Sequence, residues 1–176
     1  LCHVGRTRSL LVAATGEEIL AFSDIAWGVQ SLQERVRVHL ELSGAGEEAA
    51  ALLKDYGLGY EEKDAMRAAG EMNMYRVLFQ IIAPALDELL YECHRTVSYL
   101  RSVHDRVAFG TLYLYGLAGS VACLDRHLER QLGIPTQGVD TLDRLDFVPD
   151  AGAGCGPGEY SPVPALGLAL RRVAWL

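Results

Sequence analysis

Two glycines that follow an uncharged run are the strongest chemical signal in this sequence. Residues 111–115 read Thr-Leu-Tyr-Leu-Tyr, Gly116 comes directly after, and Gly119 three residues later. Glycine lets backbone approach a ligand closely, so such a pair can flank a nucleotide base. It equally suits a strand-to-helix turn that needs positive φ. Asp64 and Arg67 lie three residues apart in a helical pattern. On one helix face, a carboxylate and a guanidinium can hold a ribose or pair with each other at the surface. Cys123 and His127 are four apart and would offer half of a tetrahedral metal site, but no second Cys/His pair of that kind lies nearby in sequence. The run containing Gly152, Gly154, Gly156 and Gly158 lacks the Lys-Ser/Thr that completes a phosphate loop. Asp140, Asp143, Asp146 and Asp150 do not follow a calcium-loop spacing.

The elements that must position these residues can be read from periodicity. Residues 1–4, 8–14 and 18–25 read as strands, the last two joined as a hairpin by Thr15-Gly16-Glu17. Trp27-Gly28 marks a corner. A helix over 30–42 follows, with Leu32, Val36 and Leu40 on one face. Residues 47–56 and 60–69 predict two short helices, closed by Gly57 and Gly70. A long helical stretch over 71–104 carries Met74, Leu78, Ile82, Leu86, Leu89, Cys93, Val97, Leu100 and Val103 at steps of three or four. Pro84 sits inside it and predicts a kink or restart, because proline removes a donor and clashes with the preceding turn. After the strand at 111–115, Val121, Leu124, Leu128 and Leu132 recur at helical spacing, Gly133 ends that helix, and a short strand follows. Residues 136–162 read as loop, and 163–170 as a final helix. The order combines an antiparallel hairpin with βαβ connections, so the fold class is α/β with a mixed sheet.

Composition narrows the function. The chain has 176 residues and is 50% hydrophobic, enough for one domain with a substantial core. Its net charge is −7 and it has no basic run, which argues against nucleic-acid binding and against docking on anionic lipid. The longest uncharged run, 107–124, is at the short end for a transmembrane helix and is interrupted by Gly110, Gly116 and Gly119, so membrane insertion is not expected. The four cysteines, Cys2, Cys93, Cys123 and Cys155, form no C-x-x-C pair, and reduced thiols are expected. Leu1 is not an initiator residue and the chain opens on strand-like sequence, so a piece of a larger protein is expected.

Five stretches resemble the C-terminal half of PilM-like type IV pilus assembly proteins, members of the actin-like ATPase superfamily related to FtsA and GspL. His3-Val4-Gly5 followed by Ser9-Leu10-Leu11-Val12 looks like the second phosphate loop, which in the family reads Asp-x-Gly before a strand. Glu61-Glu62-Lys63-Asp64-Ala65-Met66-Arg67 looks like the helix facing the nucleoside. Arg95-Thr96-Val97-Ser98-Tyr99-Leu100 resembles the end of the family's long helix. Leu114-Tyr115-Gly116 with Gly119 resembles the Leu-x-Gly-Gly adenine turn, and Ala165-Leu166-Gly167-Leu168-Ala169-Leu170-Arg171 is close to the PilM-like ending. The sequence departs from the pattern at His3, where the family has an acid, and at Tyr115, where the first glycine of the pair belongs. Asp64 and Arg67 keep the charge types of the nucleoside helix with altered geometry.

The resemblance implies an RNase H-like, actin-like lobe: an α/β core of residues 1–38 and 71–176 with a small helical subdomain, 39–70, inserted. It implies Gly5, Asp64, Arg67, Gly116 and Gly119 as the nucleotide-side residues, with ATP and Mg²⁺ as ligands of the full-length protein and no catalytic residue in this part. It further implies a cytoplasmic scaffold at the bacterial inner membrane, partnered by other pilus assembly proteins. Chief among these is a PilN-like cytoplasmic tail, held mainly by the other lobe. An ATP-driven switch in the same complex, or the corresponding domain of a type II secretion protein, is the alternative expectation.

Overall fold

A computed structural model describes residues 1–15, 18–43, 46–59, 69–103 and 108–139. Five strands form one sheet: β1 (Cys2–Val4), β2 (Ser9–Ala14), β3 (Ile19–Ile25), β4 (Leu112–Gly116) and β5 (Thr136–Gly138). Their order is β3-β2-β1-β4-β5. β1, β2 and β3 form an antiparallel meander, whereas β1–β4 and β4–β5 are parallel. The expected mixed sheet is therefore present, and its parallel half begins where β4 returns beside β1.

Side chains alternate across a strand, so the register sorts them by face. Cys2, Val4, Leu11, Ile25, Leu112 and Leu114 point to one face, and all are buried. His3, Leu10, Phe22, Tyr113 and Tyr115 point to the other, where Phe22 is 74% exposed.

The helices are α1 (Val29–His39), α2 (Glu47–Asp55), α3 (Ala69–Ile82), α4 (Asp87–Val103) and α5 (Leu124–Leu132). The apolar stripe read over 71–104 is the buried one: Leu78, Ile82, Leu86, Leu89, Cys93 and Leu100 are all inside, although Val103 is exposed. The break falls at Pro84, where Ala83–Leu86 forms a 3-10 turn between α3 and α4. The Ala85 carbonyl in this break accepts the indole N–H of Trp27 at 2.6 Å. Trp27 is 2% exposed, so the corner residue of the sequence is a core residue tied to the break.

Three expectations need correction. Val121 is buried but extended, and does not belong to the following helix. Leu117–Ser120 is a 3-10 turn, and α5 starts only at Leu124 behind Cys123, whose φ of 61° is left-handed. Apolar spacing alone cannot see such a kink, because a buried extended residue can fall on the helical period. The short strand expected after Gly133 is present but lies at Thr136–Gly138, where it pairs with β4, so the stretch from Thr136 is not all loop. Polar, glycine-containing sequence conceals an edge strand that is largely exposed. Finally, α1 closes at His39 instead of running to Leu42, with Glu41 at φ 51°.

Ala49, Leu53 and Leu58, from the stretch read as an inserted subdomain, share one core cluster with the sheet and the long helices. The short helix expected over 60–69 and the final helix expected over 163–170 fall on or run into residues outside the described ones.

Candidate functional site

The parallel register of β1 and β4 builds the site. Val4 stands opposite Gly116, so Gly5 and Gly116 emerge together at the carboxyl ends of adjacent parallel strands. Ligands of open α/β sheets characteristically bind at such ends. Gly116 has φ 81° and ψ −126°, a conformation suited to glycine. A Cβ there would lie 2.5 Å from the Val4 carbonyl oxygen and 2.8–2.9 Å from the His3 ring. The imidazole thus occupies the space beside the glycine. The His3 and Tyr115 rings lie 5.1 Å apart, tilted by 46°. Partial burial holds the His3 imidazolium below its ordinary pKa, and burial followed by the nearby Cys2 thiol raises that of the Tyr115 phenol.

Gly5 is required for a different reason. The turn from β1 to β2 folds so tightly that a Cβ at Gly5 would meet the Arg8 carbonyl oxygen at 2.2 Å. The same turn packs on the start of α1. Val29 N–H donates to the Gly5 carbonyl at 3.1 Å, and Gln30 N–H to the Arg6 carbonyl at 2.9 Å. Gly28 makes that approach possible, since a Cβ there would fall 2.4 Å from the Arg6 oxygen.

The sequence-derived site residues therefore separate. Gly5 and Gly116 come together. Gly119 lies in the 3-10 turn with no atom within 4 Å of a Cβ built on it, so neither close approach nor positive φ explains it. Asp64 and Arg67 lie outside the described residues. Sequence reading missed Arg6, Thr7 and Gly28, which make up or support the turn beside Gly5. A signal was available in the Gly-Arg-Thr-Arg tetrad at residues 5–8 between two strands.

A second junction fixes the segment after β4. Leu58 N–H donates to the Ala122 carbonyl at 2.9 Å, and Ala122 N–H donates to Leu53 at 3.0 Å. Gly57, at φ 41°, permits this: its Cβ would lie 2.5 Å from the Ala122 oxygen. Cys123 is the N-cap of α5, its carbonyl accepting the His127 N–H at 3.0 Å, and His127 is buried against Phe79. No cluster of three or more metal-binding side chains occurs among the described residues. Burial pushes the Cys2 thiol up to about 11 and that of Cys93 up to about 12, which makes them inert core thiols at neutral pH. Among the described residues no helix is long and apolar enough to cross a membrane.

The magnesium ion implied by the resemblance can be tested against this donor set. Mg²⁺ takes oxygen ligands in octahedral geometry, usually with a carboxylate among them. The described residues at the mouth offer an imidazole, a phenol, the Thr7 hydroxyl and backbone, with Arg6 in the adjoining turn and no carboxylate. Residues 1–12 and 108–124 contain no Asp or Glu. Asp24 lies opposite Leu10 on β3, away from β1, and is held by Arg8 through contacts of 2.7–3.2 Å. The described donor set does not fit Mg²⁺.

The mixed sheet, the helix arrangement and the paired strand ends define an actin-like α/β lobe. Solved structures with this fold include the PilM-PilN type IV pilus biogenesis complex, with a TM-score of 0.58 and 19% identity over 79% of this chain and 35% of that one. The ethanolamine utilization protein EutJ from Carboxydothermus hydrogenoformans matches with a TM-score of 0.52 and 15% identity, over 78% of this chain and 42% of that one. The chain therefore spans less than half the length of either. No family model and no curated protein matches the sequence.

Proposed function

We propose that this chain is the C-terminal lobe of a PilM-type scaffold in a type IV pilus assembly complex, held at the cytoplasmic side of the inner membrane by a PilN-like tail. Both structural neighbours share the fold, so the fold alone does not choose between them. The sequence Ala165-Leu166-Gly167-Leu168-Ala169-Leu170-Arg171 carries the choice, because it resembles the PilM-like ending. The scaffold reading is supported by the mouth of β1 and β4, where His3 stands in the place of an acid.

The test is a titration of the full-length polypeptide with a synthetic PilN-like cytoplasmic tail, with and without ATP and Mg²⁺. A scaffold binds the tail equally under both conditions. Absence of tail binding overturns the proposal. Binding that depends on ATP and weakens with Asp64→Ala favours the alternative, an ATP-driven switch.

A further inference from the structure

We propose that the β3 edge of the sheet is a self-association surface, where two copies of the chain pair antiparallel through β3 about a twofold axis at Phe22. The proposal stands on strand geometry and does not depend on the pilus reading.

The hydrogen-bond pattern shows which backbone groups are free. Val12 exchanges both of its bonds with Leu1: its N–H donates to the Leu1 carbonyl at 2.8 Å, and its carbonyl accepts from the Leu1 ammonium at 2.8 Å. Backbone groups alternate in direction along a strand, so Ser9, Leu11 and Ala13 face β3. Their partners Ile25, Ser23 and Ala21 are thereby engaged. Phe22 and Asp24 turn their N–H and C=O groups outward, where β3 has no neighbouring strand. No described residue bonds to those groups.

β3 also lacks the usual protection of an edge. Native edges are kept apart by shortness, lysine or proline. The opposite edge, β5, has three residues. β3 has seven, Ile-Leu-Ala-Phe-Ser-Asp-Ile, with neither lysine nor proline. Its irregularity lies at the hairpin end, opposite Ala13 and Ala14, and leaves residues 21–25 in regular register. Phe22 is the most exposed large apolar side chain among the described residues, and Ile19 comes next. Beside the edge, Ile19, Leu20, Ala21, Phe22 and Tyr99 line a shallow open groove.

A second copy fits this edge because β3 is complementary to itself. Antiparallel pairing about Phe22 sets Phe22 against its mate, Ala21 against Ser23 and Leu20 against Asp24. No charge meets its like, since Asp24, the one charged residue, faces leucine and is already neutralised by Arg8 at 2.7 Å. The outward groups of Phe22 exchange two hydrogen bonds with those of its mate, and the two rings form an aromatic cross-strand pair. The contact is isologous, so it closes at a dimer and uses up the edge that would otherwise template further pairing. A single strand pair buries less than a standard interface, so the dimer is weak and concentration-dependent.

The experiment is sedimentation equilibrium of the full-length polypeptide over a range of concentrations, with residue-resolved hydrogen exchange on the same samples. A reversible monomer–dimer equilibrium is expected. Phe22→Lys sets two ammonium groups on the axis and should weaken it at least tenfold. Tyr113→Lys adds the same charge to the same face of the sheet three strands away, and should change it less than twofold. Exchange at the Phe22 and Asp24 amides should slow as the dimer forms, while Ala21, Ser23 and Ile25 stay equally protected throughout. A polypeptide that is monomeric at millimolar concentration overturns the proposal, as does a dimer indifferent to Phe22→Lys. Equal weakening by Tyr113→Lys also overturns it, because sheet faces then stack. So does protection of the Phe22 and Asp24 amides at every dilution, because another part of the same chain then covers the edge. Melting curves check that the lysine variants fold, which is expected because both aromatic side chains are exposed. Tail binding is measured separately, so failure here leaves the scaffold proposal standing.

Discussion

Replacing Gly116 by alanine probes the central junction of the fold. At φ 81° and ψ −126° an alanine is strained before any contact is considered. A sparsely populated backbone conformation costs about 1–3 kcal/mol. The new Cβ would also fall 2.5 Å from the Val4 carbonyl oxygen, a backbone atom held by the β1–β4 register, and 2.8 Å from the His3 ring. The ring can swing aside, but the carbonyl moves only with the strand. Overpacking of that kind costs about 1–3 kcal/mol more. Taking about 3 kcal/mol together, with roughly 2–4 °C per kcal/mol for a chain of this size, the melting temperature should fall by about 6–12 °C. Gly119→Ala is the internal control, since Gly119 has no positive φ and open space around it. Its melting temperature should stay within about 2 °C of the parent. Thermal unfolding followed by far-UV circular dichroism compares the three proteins. A Gly116→Ala protein that melts with the parent, or a Gly119→Ala protein that falls equally far, would refute the reasoning. Under the scaffold proposal, Gly116→Ala should leave partner pull-down intact below its melting temperature.

Further outcomes follow from the same contacts. Trp27→Phe leaves the Ala85 carbonyl buried without its indole donor and should lower stability in urea by about 1–3 kcal/mol. Gly57→Ala meets both the N and O of Ala122 at 2.5–2.6 Å and should unlock the segment before α5, seen as faster hydrogen exchange at Leu58 and Ala122. Cys2 and Cys93 should resist a thiol reagent at pH 8 until the chain is unfolded, and rapid native-state labelling of either would contradict their burial. Both thiols have pKa values raised on folding above the ordinary 9.0, so the folded state holds protons that the unfolded chain releases. Stability should therefore be level below about pH 9 as far as these groups go, and decline as pH rises toward 11 and 12. Cys2→Ala with Cys93→Ala should flatten that decline.

The sequence by itself determined the α/β class, the hairpin at the start, the break at Pro84 and the buried stripe of the long helices. Each of these is local: alternation, helical period and the missing proline donor act within a few residues of chain. It also marked Gly5 and Gly116 as special. It did not distinguish Gly116 from Gly119, because both are glycines after a strand, and the difference lies in what stands beside them. That was decided by the parallel pairing of residues more than a hundred positions apart, which sets Val4 and His3 against Gly116. Other features also needed the fold: Val121 is extended although it matches the helical period, Thr136–Gly138 pairs with β4, and Trp27 reaches the break at Ala85. Spacing records which residues can share a face, whereas the identity of the atom opposite a glycine depends on the register between distant strands. For that reason the special glycines were legible in the chain, and the histidine that fills the space beside one of them was legible only in the fold.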